Sequence, residues 1–128
     1  MVTAITDGIK VSVESVFQSE YSNPASEHFM FAYRIEIINQ SDFPVKLLRR
    51  KWIIFDSNNT KREVEGEGVV GLQPIIQPGE THVYVSGSNL KTEMGSMRGN
   101  YLMQRLNDST LFYVDIPVFE LVADYKLN

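Results

Sequence analysis

The sequence predicts an all-β protein: an antiparallel β-sandwich of the immunoglobulin or fibronectin type III-like kind, with seven or eight strands. Three observations predict it. Apolar and polar residues alternate with period two along most of the chain, turn-forming residues separate the alternating stretches, and no eleven-residue window holds a 3.6-residue period. The best helical candidate, residues 89–95, is short and ends on glycine.

The elements follow in order. Ile9, Val11 and Val13 alternate with Lys10, Ser12 and Glu14, which suits a strand with one buried face. After a polar loop over 19–27, Phe29, Phe31, Tyr33, Ile35 and Ile37 share one strand face, and Met30, Ala32, Arg34, Glu36 and Ile38 the other. Asn39, Gln40, Ser41 and Asp42 signal a turn, and Val45, Leu47, Trp52, Ile53 and Phe55 form the next apolar stretch. Its alternation breaks at Arg49, Arg50 and Lys51, which predicts a β-bulge or a change of sheet. Asp56 to Asn59 turn the chain into a strand over 61–65, and Pro78-Gly79 precedes a strand in which Thr81, Val83 and Val85 alternate with His82, Tyr84 and Ser86. The last strand, 111–122, contains Pro117. Proline cannot donate to a ladder, so this strand lies at an edge or bends there.

A chain of 128 residues, 43% hydrophobic and 22% charged, reads as one globular domain (1–128) able to bury a core without cross-links. Its net charge of −4 weighs against general nucleic-acid binding, which neutralises phosphates with Lys and Arg. The absence of cysteine excludes disulfides, thiol catalysis and cysteine-based zinc sites. The N-terminal residues carry neither the basic start nor the apolar stretch of a signal peptide, and no apolar run approaches bilayer length. The expectation is a cytoplasmic protein, monomeric or homodimeric, with no membrane contact.

Gly66-Glu67-Gly68-Val69-Val70-Gly71 reads G-x-G-x-x-G, the spacing with which dinucleotide-binding folds wrap a pyrophosphate. In those folds a helix follows and offers its N-terminal amides. Here Pro74, Pro78 and Gly79 follow closely and exclude it. The run is therefore expected to be a loop on a β scaffold.

Further residues carry a family resemblance. The strand from Phe31 to Ile37 resembles the F-A-Y-x-(I/V)-x-I strand of the bacterial ApaG proteins. Leu47-Leu48 with Arg50 and Trp52 is similar to their L-L-x-R-x-W segment, and residues 64–74 to their V-x-G-E-G-V-V-G-x-Q-P motif. Pro78-Gly79-Glu80, Ser86-Gly87, Gly95-x-Met97-x-Gly99-x-Tyr101-x-Met103 and the segment from Asp115 to Leu121 extend it over nearly the whole chain. The resemblance implies a fibronectin type III-like sandwich. It also implies a protein-interaction role, as for the related domains in some F-box proteins and a polymerase-delta-interacting protein. Bacterial members are linked to cobalt resistance and magnesium efflux without an agreed biochemical activity.

The candidate sites divide as follows. The loop Glu65, Gly66, Glu67, Gly68, Val69, Val70 and Gly71 is expected to bind a protein partner, with Glu65 and Glu67 as an acidic rim. Its alternative is a small anion, nucleotide or pyrophosphate held in an amide nest, against which stand Glu67 and the missing P-loop lysine. Arg49, Arg50 and Lys51 form a secondary partner surface, while the neighbouring Trp52 is expected in the core. Glu63, Glu65 and Glu67 share one strand face, read as solvated rather than as metal ligands, and His28 and His82 stand in no ligand-spaced motif. Asp115 sits between Val114 and Ile116, where burial would raise its pKa; a carboxylate accepting hydrogen bonds from the backbone or from Arg50 or Arg34 is expected there rather than a general acid. Ser86 lacks a nucleophile-elbow context. The expectation is thus a non-catalytic interaction module without cofactor or metal.

Overall fold

The computed structural model describes residues 1–123. Its strands are β1 (Val2–Thr6), β2 (Ile9–Phe17), β3 (Phe29–Asn39), β4 (Val45–Asp56), β5 (Thr60–Glu67), β6 (Ile75–Ile76), β7 (Thr81–Leu90), β8 (Met94–Arg105) and β9 (Leu111–Val122). Two antiparallel sheets, ordered β1-β2-β3-β7 and β5-β4-β8-β9, pack face to face, and β6 pairs with β4 beyond the end of β5. The all-β sandwich expected from the alternation is the observed fold. It has nine strands among the described residues rather than seven or eight. The short β1 buries no residue fully and the two-residue β6 is too short to show a period. The helical candidate 89–95 is the connection by which the chain crosses from β7 in the first sheet to β8 in the second, held where Asp56 accepts the Lys91 N–H at 2.7 Å and the Thr92 hydroxyl.

The alternation maps directly onto burial. In β3 every second residue from Phe29 to Asn39 is buried. Trp52 lies in the core as expected, its ring edge-on to Tyr33 at 5.4 Å and to Phe119 at 5.8 Å. Asn39, fully buried, donates to the carbonyls of Phe43 and Ile76 and accepts from the Ser41 N–H and hydroxyl, so its amide pins the β3–β4 connection.

Two bulges shape the second sheet. The β4–β8 register shifts between Leu47 and Arg49, at the expected break in alternation. The β8–β9 register shifts between Met97 and Gly99, so Pro117 and Val118 interrupt the pairing, and β9 is the last strand of its sheet; the edge or bend expected at Pro117 is found as both an edge and a bulge.

The sandwich is closed on one side only. There β9 meets the first sheet: the Ser15 hydroxyl donates to the Glu120 carbonyl at 2.9 Å, and the Asp115 N–H to Thr6 Oγ1 at 3.2 Å. On the other side the edge strands β5 and β7 are not paired, and a cleft lies between them. No helix among the described residues is long and apolar enough to cross a membrane.

Candidate functional site

The cleft between β5 and β7 owes its chemistry to the bulge at Leu48. Val45 and Leu47 point into the core, and after the inserted residue the inward positions resume at Arg50, Trp52 and Ile54. One extra residue thereby turns Arg50, not Arg49, toward the space between the sheets. Arg49 and Lys51 face outward, opposite Glu67 and Glu65 on β5, and Lys51 pairs with Glu65 at 3.7 Å. The basic triplet is therefore split between two surfaces, which corrects its reading as one partner face.

Arg50 stands opposite Gly66, where an added Cβ would lie 2.8 Å from both Nη atoms. Its Nη1 donates to the carbonyls of Glu67 at 3.0 Å and Gly68 at 3.1 Å. Gly66 thus opens space for the guanidinium, and the following two carbonyls hold it. At the other end of β5, Arg62 reaches across the cleft and donates from Nη2 to Ser88 Oγ at 3.0 Å and to the Asn89 carbonyl at 2.7 Å. Neither arginine has a carboxylate partner: the ion pairs among the described residues are Arg34–Glu36 and Lys51–Glu65.

The G-x-G-x-x-G run is not a single loop, contrary to the sequence reading. Gly66 and Glu67 belong to β5, and Gly68 leaves the strand with φ +62°. Val69 and Leu72 then exchange N–H···O bonds of 2.8 and 3.0 Å around a two-residue turn, whose central Val70 and Gly71 both have positive φ. Val69 is buried while Val70 is exposed at the turn's tip. The Gly68 N–H donates to the Leu48 carbonyl at 2.8 Å, and the same bulge carbonyl accepts from Gln73 Nε2 at 3.0 Å. Three backbone N–H groups of the turn region, those of Gly68, Val69 and Leu72, are thus engaged inside the protein.

Two adjoining depressions of about 220 and 330 Å³ make up the cleft, both floored by Tyr33, Arg50 and Trp52 and walled on the β7 side by Ser86. Burial pushes the Tyr33 phenol above its ordinary pKa, with Ser86 and Arg50 pulling the other way. Behind it the hydroxyls of Tyr84 and Tyr101 share a hydrogen bond of 2.5 Å, and burial raises both phenols further.

The remaining candidates are dispersed. Glu63, Glu65 and Glu67 lie on the outer face of β5 opposite Ile53, Lys51 and Arg49, and no three His, Asp or Glu side chains among the described residues converge. His28 is exposed, and half-buried His82 has a lowered pKa through desolvation. Asp115, expected to be buried, is exposed: Val114 and Ile116 take the inward positions, and the carboxylate points to solvent. Ser86, Gly87 and Ser88 are consecutive residues of β7. Sequence reasoning missed Arg50's separation from its neighbours, Arg62, and the β7 edge. The uncharged run over 81–90 was the legible signal.

Two face-to-face antiparallel sheets with a cleft between the edge strands β5 and β7 define the class, an all-β sandwich domain. Within that class the comparisons are specific. Residues 19–105 match the ApaG domain. The chain is 46% identical over 128 residues to Protein ApaG of Anaeromyxobacter dehalogenans strain 2CP-C, covering all of both chains. To Protein ApaG of Escherichia coli O1:K1 / APEC it is 45% identical over 113 residues, covering 88% of this chain and 90% of that one. The crystal structure of an ApaA protein from Bordetella pertussis superposes with a TM-score of 0.87 at 40% identity, covering 91% and 94% of the two chains. The chain belongs to the ApaG family.

Proposed function

We propose that this chain is a non-catalytic protein-interaction module that takes an extended segment of a partner onto the free edge of β7. The observation that carries the reading is the composition of that edge. β7 is ten residues long, has no charged residue and no proline, and exposes Val83 and Val85. Edge strands of this kind are templates for a further strand unless charge, proline or a bulge blocks them. The other long edges are blocked: β5 carries Lys61, Arg62, Glu63, Glu65 and Glu67, and β9 carries Pro117 beside its bulge.

The hydrogen-bond alternation supports a usable edge. The Gln18 N–H donates to the Met30 carbonyl and the Met30 N–H to Ser22 Oγ, so Met30 directs its polar backbone away from β7. Alternation then assigns the β3–β7 bonds to Phe31, Tyr33 and Ile35, paired with Ser88, Ser86 and Tyr84. Val83, Val85 and Gly87 consequently direct their N–H and C=O groups outward. The glycine turn, with exposed Val70, flanks the cleft beside this edge. On this reading any part in cobalt or magnesium homeostasis is exerted through the partner.

A second reading, small-anion or nucleotide binding, has support from the carboxylate-free Arg50 and Arg62 rather than from the turn amides. Selection of a random-peptide display library on the purified protein, followed by amide hydrogen exchange, tests the first reading. Binding is expected to slow exchange at Val83, Val85 and Gly87. Val85→Pro, which removes one outward donor, should stay folded and lose binding at least tenfold. Protection confined to other strands, or binding indifferent to Val85→Pro, overturns the proposal.

A further inference from the structure

We infer that the segment received by β7 carries an acidic–x–apolar–x–acidic pattern, its two carboxylates seated on Arg62 and Arg50. The inference rests on strand addition at β7 and names the chemistry of the partner. A strand added beyond β7 extends the first sheet over the inner face of β5, because packed sheets lie about 10 Å apart. The inner positions of β5 follow from its register with β4: Arg62 opposite Ile54, Val64 opposite Trp52, and Gly66 opposite Arg50. Arg50's guanidinium lies over Gly66 and occupies that third position itself. The uncovered face therefore presents cation, apolar side chain, cation, each two residues apart.

Val64 is 38% exposed, an apolar surface left open between two arginines. The inward side chains of an added strand also recur every two residues, at the same rise of about 6.6 Å per pair. Three successive inward residues thus fall on the three positions in either strand direction, since the pattern is symmetric. The cations are poised for carboxylates. Arg50 bonds the protein through Nη1 and Arg62 through Nη2, leaving further N–H donors on each guanidinium, and neither has an acidic partner among the described residues. A second copy of this chain is the poorer occupant. Its own β7 would direct Tyr84, Ser86 and Ser88 inward and offer the arginines no carboxylate.

The test sequences the peptides selected by the wild-type protein and by Arg62→Glu, an exposed position whose substitution leaves the core untouched. Melting temperature confirms folding. Wild-type selection is expected to enrich Asp or Glu two residues to each side of an apolar residue. Arg62→Glu is expected to turn one of those acidic positions to Lys or Arg and to leave the other. Replacing either acidic residue of a selected peptide by its amide should weaken binding to the wild type about tenfold, or about 1.4 kcal/mol. Peptides that protect β7 without acidic enrichment, or whose pattern is unchanged by Arg62→Glu, overturn this inference and leave strand addition standing. Absence of β7 protection overturns both.

Discussion

Arg50 and Gly66 face each other across the β4–β5 ladder, and the missing side chain of one makes room for the guanidinium of the other. The bulge at Leu48 turns the arginine inward, and the carbonyls of Glu67 and Gly68 hold it there. Gly66 and the two carbonyls after it thus seat a guanidinium at the cleft.

Gly66→Ala should separate recognition from stability. The clashing atoms are the far end of a flexible side chain, so the guanidinium can move aside. The expected cost is below about 1 kcal/mol, a fall in Tm of no more than about 4 °C. Peptide affinity should fall at least tenfold. An Arg50-independent site would leave affinity intact, which calorimetry on a selected peptide would reveal.

Gly68→Ala and Gly71→Ala should differ although both residues have positive φ. A Cβ on Gly71 meets nothing within 4 Å, so only the backbone preference of roughly 1–2 kcal/mol is lost. A Cβ on Gly68 would stand 2.0 Å from the Leu72 carbonyl oxygen, part of the hydrogen-bonded turn, so the turn itself must open. Thermal melts should place Gly68→Ala clearly below Gly71→Ala, and equal melting temperatures would contradict the turn geometry.

Alkaline stability should be set by the buried tyrosines. Tyr33, Tyr84 and Tyr101 all have pKa values raised by burial. Above about pH 10 the unfolded chain releases these protons while the native state keeps them, so stability present below pH 10 is lost as pH rises. Each such group contributes a slope of about 1.4 kcal/mol per pH unit. The double variant Tyr84→Phe/Tyr101→Phe should flatten the decline between about pH 10 and 12 measured by urea unfolding. Tyr84→Phe alone should cost about 1–3 kcal/mol at neutral pH, because it strips the buried Tyr101 hydroxyl of its partner.

The frame was legible because burial obeys period two: the inward residues of β3 are the apolar ones of its alternation, whereas in β7 the period holds but Val83 and Val85 face outward, and Pro117 marked an edge or a bend. The break at residues 49–51 marked the bulge but not its outcome, since parity after an inserted residue depends on where the insertion falls. The same limit misplaced Asp115, whose apolar neighbours are inward simply because it is not. The glycine spacing matches a phosphate loop, yet the Gly68 and Val69 N–H groups are fixed by donating to the carbonyls of Leu48, distant in sequence, and Leu72, folded back. The cleft joins β5 to β7 without a ladder, and pattern within one strand carries no information about an unpaired neighbour.

Free nucleotides should bind weakly. Calorimetric titration with mono- and dinucleotides is expected to give no affinity tighter than about millimolar, because the Gly68, Val69 and Leu72 N–H groups are engaged inside the protein and Glu67 flanks the turn. Micromolar, saturable binding that Arg50→Gln abolishes would promote the anion reading. The same affinity abolished only by Gly68→Val would return the site to the turn.

Pro117→Val should expose what the second sheet's edge is protected against. β9 presents Leu111, Tyr113 and Val118 to solvent, and on its edge away from β8 side chains of the first sheet engage the Asp115 N–H and the Glu120 carbonyl, with Pro117 and Val118 between them. Valine restores a backbone donor and a residue with high strand preference, making the edge a better template for a second molecule. The fold should persist, since Pro117 lies outside the core and its flanking inward residues Ile116 and Phe119 are unchanged. Sedimentation velocity should show a concentration-dependent dimer or higher species absent from the wild type. Addition of a lysine on the same edge, as in Pro117→Val/Val118→Lys, should reverse it, because an edge charge is the other common guard. An unchanged monomer in Pro117→Val would mean that the bulge, not the proline, closes this edge.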